Sequence, residues 1–212
     1  MAERLSIALI DDDEAILDSI QLCLQRRGFA VTCFRTAMPV LNALDDGTPF
    51  DCIVSDVRMP GMNGLSLQRA LAQRAHLLPV IMITGHGDID MAVSAIKAGA
   101  FDFIEKPIDD RRLVISITEA VRRSRDRMAG ERELADLQKR YAELSERQRQ
   151  VMDLAVQGFS NKEIAARLAI SPRTVEHYRE SAMERMQASR LAELVYMAVR
   201  LRRYATSTER DA

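Results

Sequence analysis

Over the first 125 residues, short apolar runs alternate with amphipathic stretches. The runs at 5–10, 30–34, 51–56, 80–84 and 101–105 have strand length, and most are too uniformly apolar to have one wet face. The stretches at 14–27, 37–44, 65–74, 89–97 and 111–125 repeat their apolar positions at helical spacing. Five such βα units predict an α/β doubly wound, five-stranded parallel sheet with helices on both faces. Gly28 and Gly99 sit where the first and fourth helices should close, and Met59-Pro60-Gly61-Met62-Asn63-Gly64 is a turn-rich loop.

The pattern changes after residue 122. Between 122 and 144 the chain is charged and helix-favouring, with Leu134, Leu137, Tyr141 and Leu144 recurring at three and four residues and Gly130 as a candidate interruption. This stretch is expected to be a linker helix, chiefly a spacer with some dimer contact; the few heptads argue against a sustained coiled coil. Beyond it there are only short helices with start signals. Ser145 with Gln148 and Ser160 with Glu163 read as capping boxes, and Ser171-Pro172 as an N-cap with a first-turn proline. The second of these helices should end near Ala169. A last helix from about Ser189 places Leu191, Leu194 or Val195, Ala198 and Leu201 on one face. The expected organisation is a domain over 1–122, a helical linker over 123–143, an all-α four-helix domain over 144–204 and a disordered tail over 205–212.

Charge sharpens this division. Residues 1–120 carry 11 Lys/Arg against 17 Asp/Glu, and residues 140–212 carry 13 against 10, so the rear domain is the one suited to an anionic partner. Cys23, Cys33 and Cys52 lack metal or disulfide spacing and read as core residues in a reducing compartment. No apolar run reaches membrane-spanning length and no charged-then-apolar leader precedes the first strand, so a soluble, cytoplasmic protein with no membrane partner is expected.

Chemistry concentrates at three strand ends. Asp11-Asp12-Asp13 follow the first strand, Asp56 ends the third, and Lys106-Pro107 follow the fifth. In an open parallel sheet these ends share one edge, where such folds place their reactive groups. Clustered carboxylates suit a hard divalent cation, Mg²⁺ above all, and a cation beside a lysine suits phosphoryl transfer to an aspartate. Singly, each residue is ordinary: an Asp after a strand caps a turn, and Lys-Pro or Thr-Gly is loop chemistry. Their joint order and spacing is what those readings do not predict.

Asp11-Asp12, Asp56, Met59-Pro60-Gly61, Thr84-Gly85 and Lys106-Pro107 together resemble the receiver domain of response regulators. The resemblance implies a flavodoxin-like strand order. It implies that Asp56 is the phosphoacceptor, and that Asp12, Asp56 and the Arg58 carbonyl ligate Mg²⁺, with Asp11 acting through water. It also implies that Thr84 and Lys106 contact the phosphoryl group and that Lys106-Pro107 is cis. Phe103 matches the switch aromatic that follows Thr84, and the surface of the fourth helix and fifth strand is the expected dimer face. Arg58 and His86 stand at the positions that tune phosphoryl lifetime in that family.

The string Leu144-Ser145-Glu146-Arg147-Gln148, then Gly158-Phe159-Ser160-Asn161-Lys162-Glu163-Ile164-Ala165, then Ile170-Ser171-Pro172-Arg173-Thr174-Val175-Glu176 resembles the helix-turn-helix (HTH) domain of the LuxR/NarL class. The whole chain then resembles the FixJ-type regulators. From the residues themselves, the helix from Pro172 puts Val175, Ala182 and Met186 on one face and Arg173, His177 and Glu180 opposite, as a major-groove reader requires. Lys162, Ser171, Thr174 and Arg179 are the candidates for phosphate contacts, and Arg173, Glu176, His177 and Glu180 for base edges. Tyr178 stands where the class usually has His and can donate to a phosphate. The stripe of Leu191, Val195 and Ala198 is expected to pair with its twin on DNA.

The resemblance implies a transcription regulator that takes its phosphoryl group from a histidine kinase, forms a homodimer and binds double-stranded promoter DNA, with RNA polymerase as a further candidate partner. It implies no enzyme beyond slow hydrolysis of its own aspartyl phosphate. Two rivals stand beside it. An Mg²⁺-dependent aspartyl-phosphate phosphatase would also use a strand-end Asp, but such enzymes place a second acid two residues on, where this chain has Arg58. A receiver with an RNA- or protein-binding output is the other.

Overall fold

A computed structural model describes residues 4–85 and 89–208. Its elements run β1 (Ser6–Ile10), α1 (Glu14–Arg26), β2 (Ala30–Phe34), α2 (Ala37–Asp45), β3 (Cys52–Asp56), α3 (Gly64–Gln73), β4 (Val80–Thr84), α4 (Ile89–Lys97), β5 (Asp102–Glu105) and α5 (Asp110–Ala142). Then come α6 (Glu146–Val156), α7 (Asn161–Leu168), α8 (Pro172–Met186) and α9 (Leu191–Thr208). The chain divides into two compact units, residues 1–127 and 128–212.

In the first unit all strands are parallel, in the order β2-β1-β3-β4-β5. Side chains alternate across a strand, so Ile7 and Leu9 enter one core and Ala8 and Ile10 the other. Ile7, Leu9, Val54, Ile81 and Ile83 meet α1 and α5, whereas Ala8, Ile10, Ile53 and Met82 meet α2 and α3. Both faces are therefore dry, which is why the strands read as continuous apolar runs. Burial pushes the thiols of Cys23, Cys33 and Cys52 up, and Asp110, Asp18 and Asp51 respectively add to the shift, so all three stay protonated fillers.

In the second unit, α6, α7 and α8 start where the capping signals placed them. Ser145 and Ser160 each make the full capping box, and Ser171 accepts from the Thr174 amide ahead of Pro172. α7 ends at Leu168, with Ala169 in the left-handed region at φ +54° turning the chain toward α8. The capping-box residue Gln148 also donates from Nε2 to Ser181 Oγ at 2.8 Å, tying the start of α6 to α8.

Four expectations change. α5 continues through Gly130 without interruption. Its apolar stripe is no spacer surface: Leu137 and Leu144 are buried with Met152, Ala182, Met186 and Leu194, and Tyr141 packs on the same cluster. The reason is that a charged helix with one apolar stripe gains more by covering a neighbouring core than by standing in solvent. Likewise Leu191 and Ala198 of α9 face that core and Val195 is half-buried, so among the described side chains of α9 the exposed large apolar ones are Tyr196 and Val199. Finally, α9 carries the helix through 205–208, part of the expected tail; 209–212 lie outside the described residues. Among the described residues, no helix is long and apolar enough to cross a membrane.

Candidate functional site

Because the strands are parallel, Ile10, Asp56, Thr84 and Glu105 end on one edge, and the register pairs Ile10 with Ser55, Asp56 with Ile83, and Thr84 with Glu105. This brings Asp11, Asp56, Thr84 and Lys106 together although they are far apart in sequence. Asp11, Asp56 and Thr84 are 2%, 6% and 1% exposed. Lys106 Nζ donates to Asp11 Oδ2 and to Asp56 Oδ1, each at 2.7 Å. The other oxygens are also held: Asp56 Oδ2 accepts from the Arg58 amide at 2.6 Å, and Asp11 Oδ1 from the Asp13 amide at 3.0 Å. Asp13 in turn caps α1 through the Ala15 amide.

Burial lowers the affinity of Lys106 for its proton, but hydrogen bonds and charge from Asp11 and Asp56 outweigh it and hold the ammonium above its ordinary pKa. Two buried carboxylates around one ammonium leave the site net negative. The Lys106-Pro107 bond is cis.

Asp12 is placed differently. It is exposed and lines an open cleft with Arg58, Met59 and Asn63, and its carbonyl accepts from Arg35 at 3.4 Å. Among the described residues no three acidic, His or Cys groups stand together as a ligand set; the structure groups Asp11 with Asp56 and leaves Asp12 on the rim. Phe103 is half-buried against the α2–α3 side of the core, and His86 lies outside the described residues.

Two supporting residues went unnoticed in the sequence. A Cβ on Gly64 would stand 2.6 Å from the Asp56 carbonyl oxygen and 3.2 Å from Val57 Cα, so α3 can begin there only with glycine. Ser55 Oγ donates to the same carbonyl at 2.9 Å. A glycine as the first residue of a helix behind an Asn N-cap was the available signal, since neither propensity nor capping favours it there.

In the second unit, α8 buries Val175, Ala182 and Met186 and exposes Arg173, Glu176, His177 and Glu180 on one face. Lys162 is exposed at the start of α7. Thr174 and Ser171 share a hydroxyl hydrogen bond of 2.7 Å, and Arg179 Nη1 reaches Asn161 Oδ1 at 3.2 Å. Tyr178 packs on the core formed by Val151, Ile164 and Val175, so its ring is partly committed to the fold.

The family model of the response regulator receiver domain matches residues 7–118, and that of the bacterial regulatory proteins of the luxR family matches residues 142–198. The chain belongs to the response regulators. Within them it is FixJ-like. It is 45% identical over 200 residues to the transcriptional regulatory protein FixJ of Bradyrhizobium diazoefficiens, spanning 94% of this chain and 97% of that relative. The response regulator protein TmoT of Ectopseudomonas mendocina is 39% identical over 92% of this chain and 89% of its own. Full-length FixJ from B. japonicum, as a crystal structure, covers 94% of this chain and 98% of its own at 44% identity and TM-score 0.61. The response regulator StyR, solved at low resolution, covers 92% and 98% at 32% identity and TM-score 0.78. The regulator thus joins a receiver to a LuxR-type DNA-binding domain, the organisation of phosphorylation-dependent transcription control. Its relatives are regulators, not enzymes in the usual sense. The receiver implies a histidine kinase partner, and the output domain implies DNA.

Proposed function

We propose that Asp56 is the phosphoacceptor of this regulator. The observation that carries the reading is the Lys106 ammonium held at 2.7 Å from both Asp11 and Asp56 at the carboxyl edge of the sheet. A carboxylate oxygen of Asp56 attacks phosphorus, the bond from phosphorus to the kinase imidazole nitrogen breaks, and the imidazole leaves with the electron pair. Lys106 follows the charge onto a phosphoryl oxygen, and the Thr84 hydroxyl hydrogen-bonds another. Slow hydrolysis of the acyl phosphate returns the carboxylate.

The donor set is oxygen only, and Mg²⁺ needs one or two carboxylates with waters and phosphate oxygens completing its shell, so the residues present fit it. Asp12, Asp56 and the Arg58 carbonyl would hold it, with Asp11 acting through water. When bound it supplies positive charge beside the transferring group. Phe103 follows Thr84 in the switch, the α4–β5 face forms the homodimer, and the working compartment is the cytoplasm.

In the output domain the exposed face of α8 enters the major groove. Arg173, Glu176, His177 and Glu180 approach base edges, while Lys162, Ser171, Thr174 and Arg179 lie toward phosphates. RNA polymerase is the partner proposed for the DNA-bound form. The boundary between the domains falls inside α5.

The test is labelling with radioactive acetyl phosphate in Mg²⁺, followed by sedimentation velocity. Wild type should take up label and shift toward dimer, and Asp56→Asn should do neither while keeping its fold. Label on Asp56→Asn at wild-type stoichiometry would overturn the assignment.

A further inference from the structure

α8 spans both small cores of the second unit. Its first half buries Val175 and packs Tyr178 on the core with Val151 and Ile164. Its second half buries Ala182 and Met186 against Leu137 of α5 and Leu144 just beyond it. The side chains assigned to base edges, Arg173 to Glu180, all sit on the first half, so the reading end and the anchored end of this helix are different ends.

The anchored end is closed by charge as well as by apolar contact. α8 stops at Met186, and Gln187 turns the chain out of it at φ +56°. That conformation penalises a residue with a Cβ, and glycine adopts it freely. The side chain that glycine would lack is in use here: Arg140 Nη1 donates to Gln187 Oε1 at 3.2 Å and to the Met186 carbonyl at 2.9 Å. Arg140 Nε also donates to the Asp136 carbonyl at 3.3 Å, which fixes the guanidinium against its own helix. Arg185, in the last turn of α8, returns the arrangement, with Nη1 donating at 3.1 Å to the carbonyl of Glu143, just past the end of α5. Each helix thus lends a guanidinium to the carboxyl end of the other, where the last carbonyls lack intrahelical partners and the dipole favours a cation.

We propose that Arg140 and Arg185 are positioning residues for DNA reading, holding the axis of α8 from its far end. Arg140 lies on another helix and Arg185 more than a turn beyond Glu180, so both act through α8 and neither on a base. Base contacts carry sequence information and need placement within about 0.5 Å, whereas phosphate contacts carry none. A helix freed at its anchored end therefore loses discrimination before it loses affinity. The inference rests on the reading of α8 as the groove helix.

The test uses the full-length chain with acetyl phosphate and Mg²⁺. A duplex is selected from a random pool with wild type, and affinities for it and for an unselected duplex are measured by fluorescence anisotropy over a range of salt. Arg140→Met and Arg185→Ala should each lower the ratio of the two affinities on the order of tenfold, the discrimination carried by one base pair, while affinity for the unselected duplex and its salt slope stay at wild type. Arg140→Lys, which keeps the charge, should recover part of the loss, and Arg132→Gln, an exposed change on the same helix, should leave the ratio alone. Arg185 is exposed, so its variant keeps the fold and decides the matter even where Arg140→Met unfolds. An unchanged ratio in Arg185→Ala, or an equal loss on both duplexes, would overturn the positioning role. Selection that enriches no sequence would instead remove the reading of α8 as the groove helix, and this inference with it.

Discussion

Gly64 is the residue on which the geometry of Asp56 turns. Alanine gains up to about 1 kcal/mol over glycine as a helix former. A methyl group 2.6 Å from a backbone oxygen cannot be relieved by a rotamer change, so the overlap wins. Gly64→Ala should lose about 1–3 kcal/mol of stability, in line with overpacked cores, and should slow labelling of Asp56 by displacing its carbonyl; thermal denaturation and labelling rate check both. Lys106 makes a second prediction. Its pKa is raised in the folded state, so its contribution is complete below the ordinary lysine value of 10.5 and is lost as pH rises beyond it. Lys106→Met should therefore be less stable than wild type at neutral pH, with the gap closing above that value in pH-dependent denaturant melts. Asp56 and Lys106 were legible because strand ends mark themselves by a polar residue after an apolar run. Gly64 was not, since its contact joins the start of a helix to the end of a strand and leaves no local periodicity.

Helix boundaries were read well where side chains cap backbone amides, because that chemistry is local: Ser145, Ser160 and Ser171 each act within three residues. Faces were read less well. The stripes at Leu137 and Leu144 and at Leu191 and Ala198 were recognised as apolar, but what covers a stripe is decided by residues elsewhere in the chain. Here they cover one another within a single unit. Ala169 supplies the prediction at this scale. It holds φ +54° with a Cβ attached, where glycine carries no steric penalty. Ala169→Gly should stabilise the second unit by about 0.5–1 kcal/mol despite the looser unfolded chain, raising its melting temperature.

At the scale of the whole chain, the two units differ in how they are built, one from a sheet with two dry faces and one from short capped helices around two small cores. Small cores tolerate little loss. Leu137→Ala should cost about 2–4 kcal/mol, with faster hydrogen exchange confined to the second half of α5 through α9 and with phosphoryl uptake unchanged. Exchange that accelerates equally in both units would contradict the division. The burial of Leu137 and Leu144 under α6, α8 and α9 also bears on how such proteins are recombined. A chimaera that grafts a foreign receiver at residue 144 would discard Leu137 and Tyr141 and hand the output domain an open core, whereas a graft at residue 128 would transfer a self-sufficient part. The exchangeable module begins inside the helix, well upstream of the first capping serine.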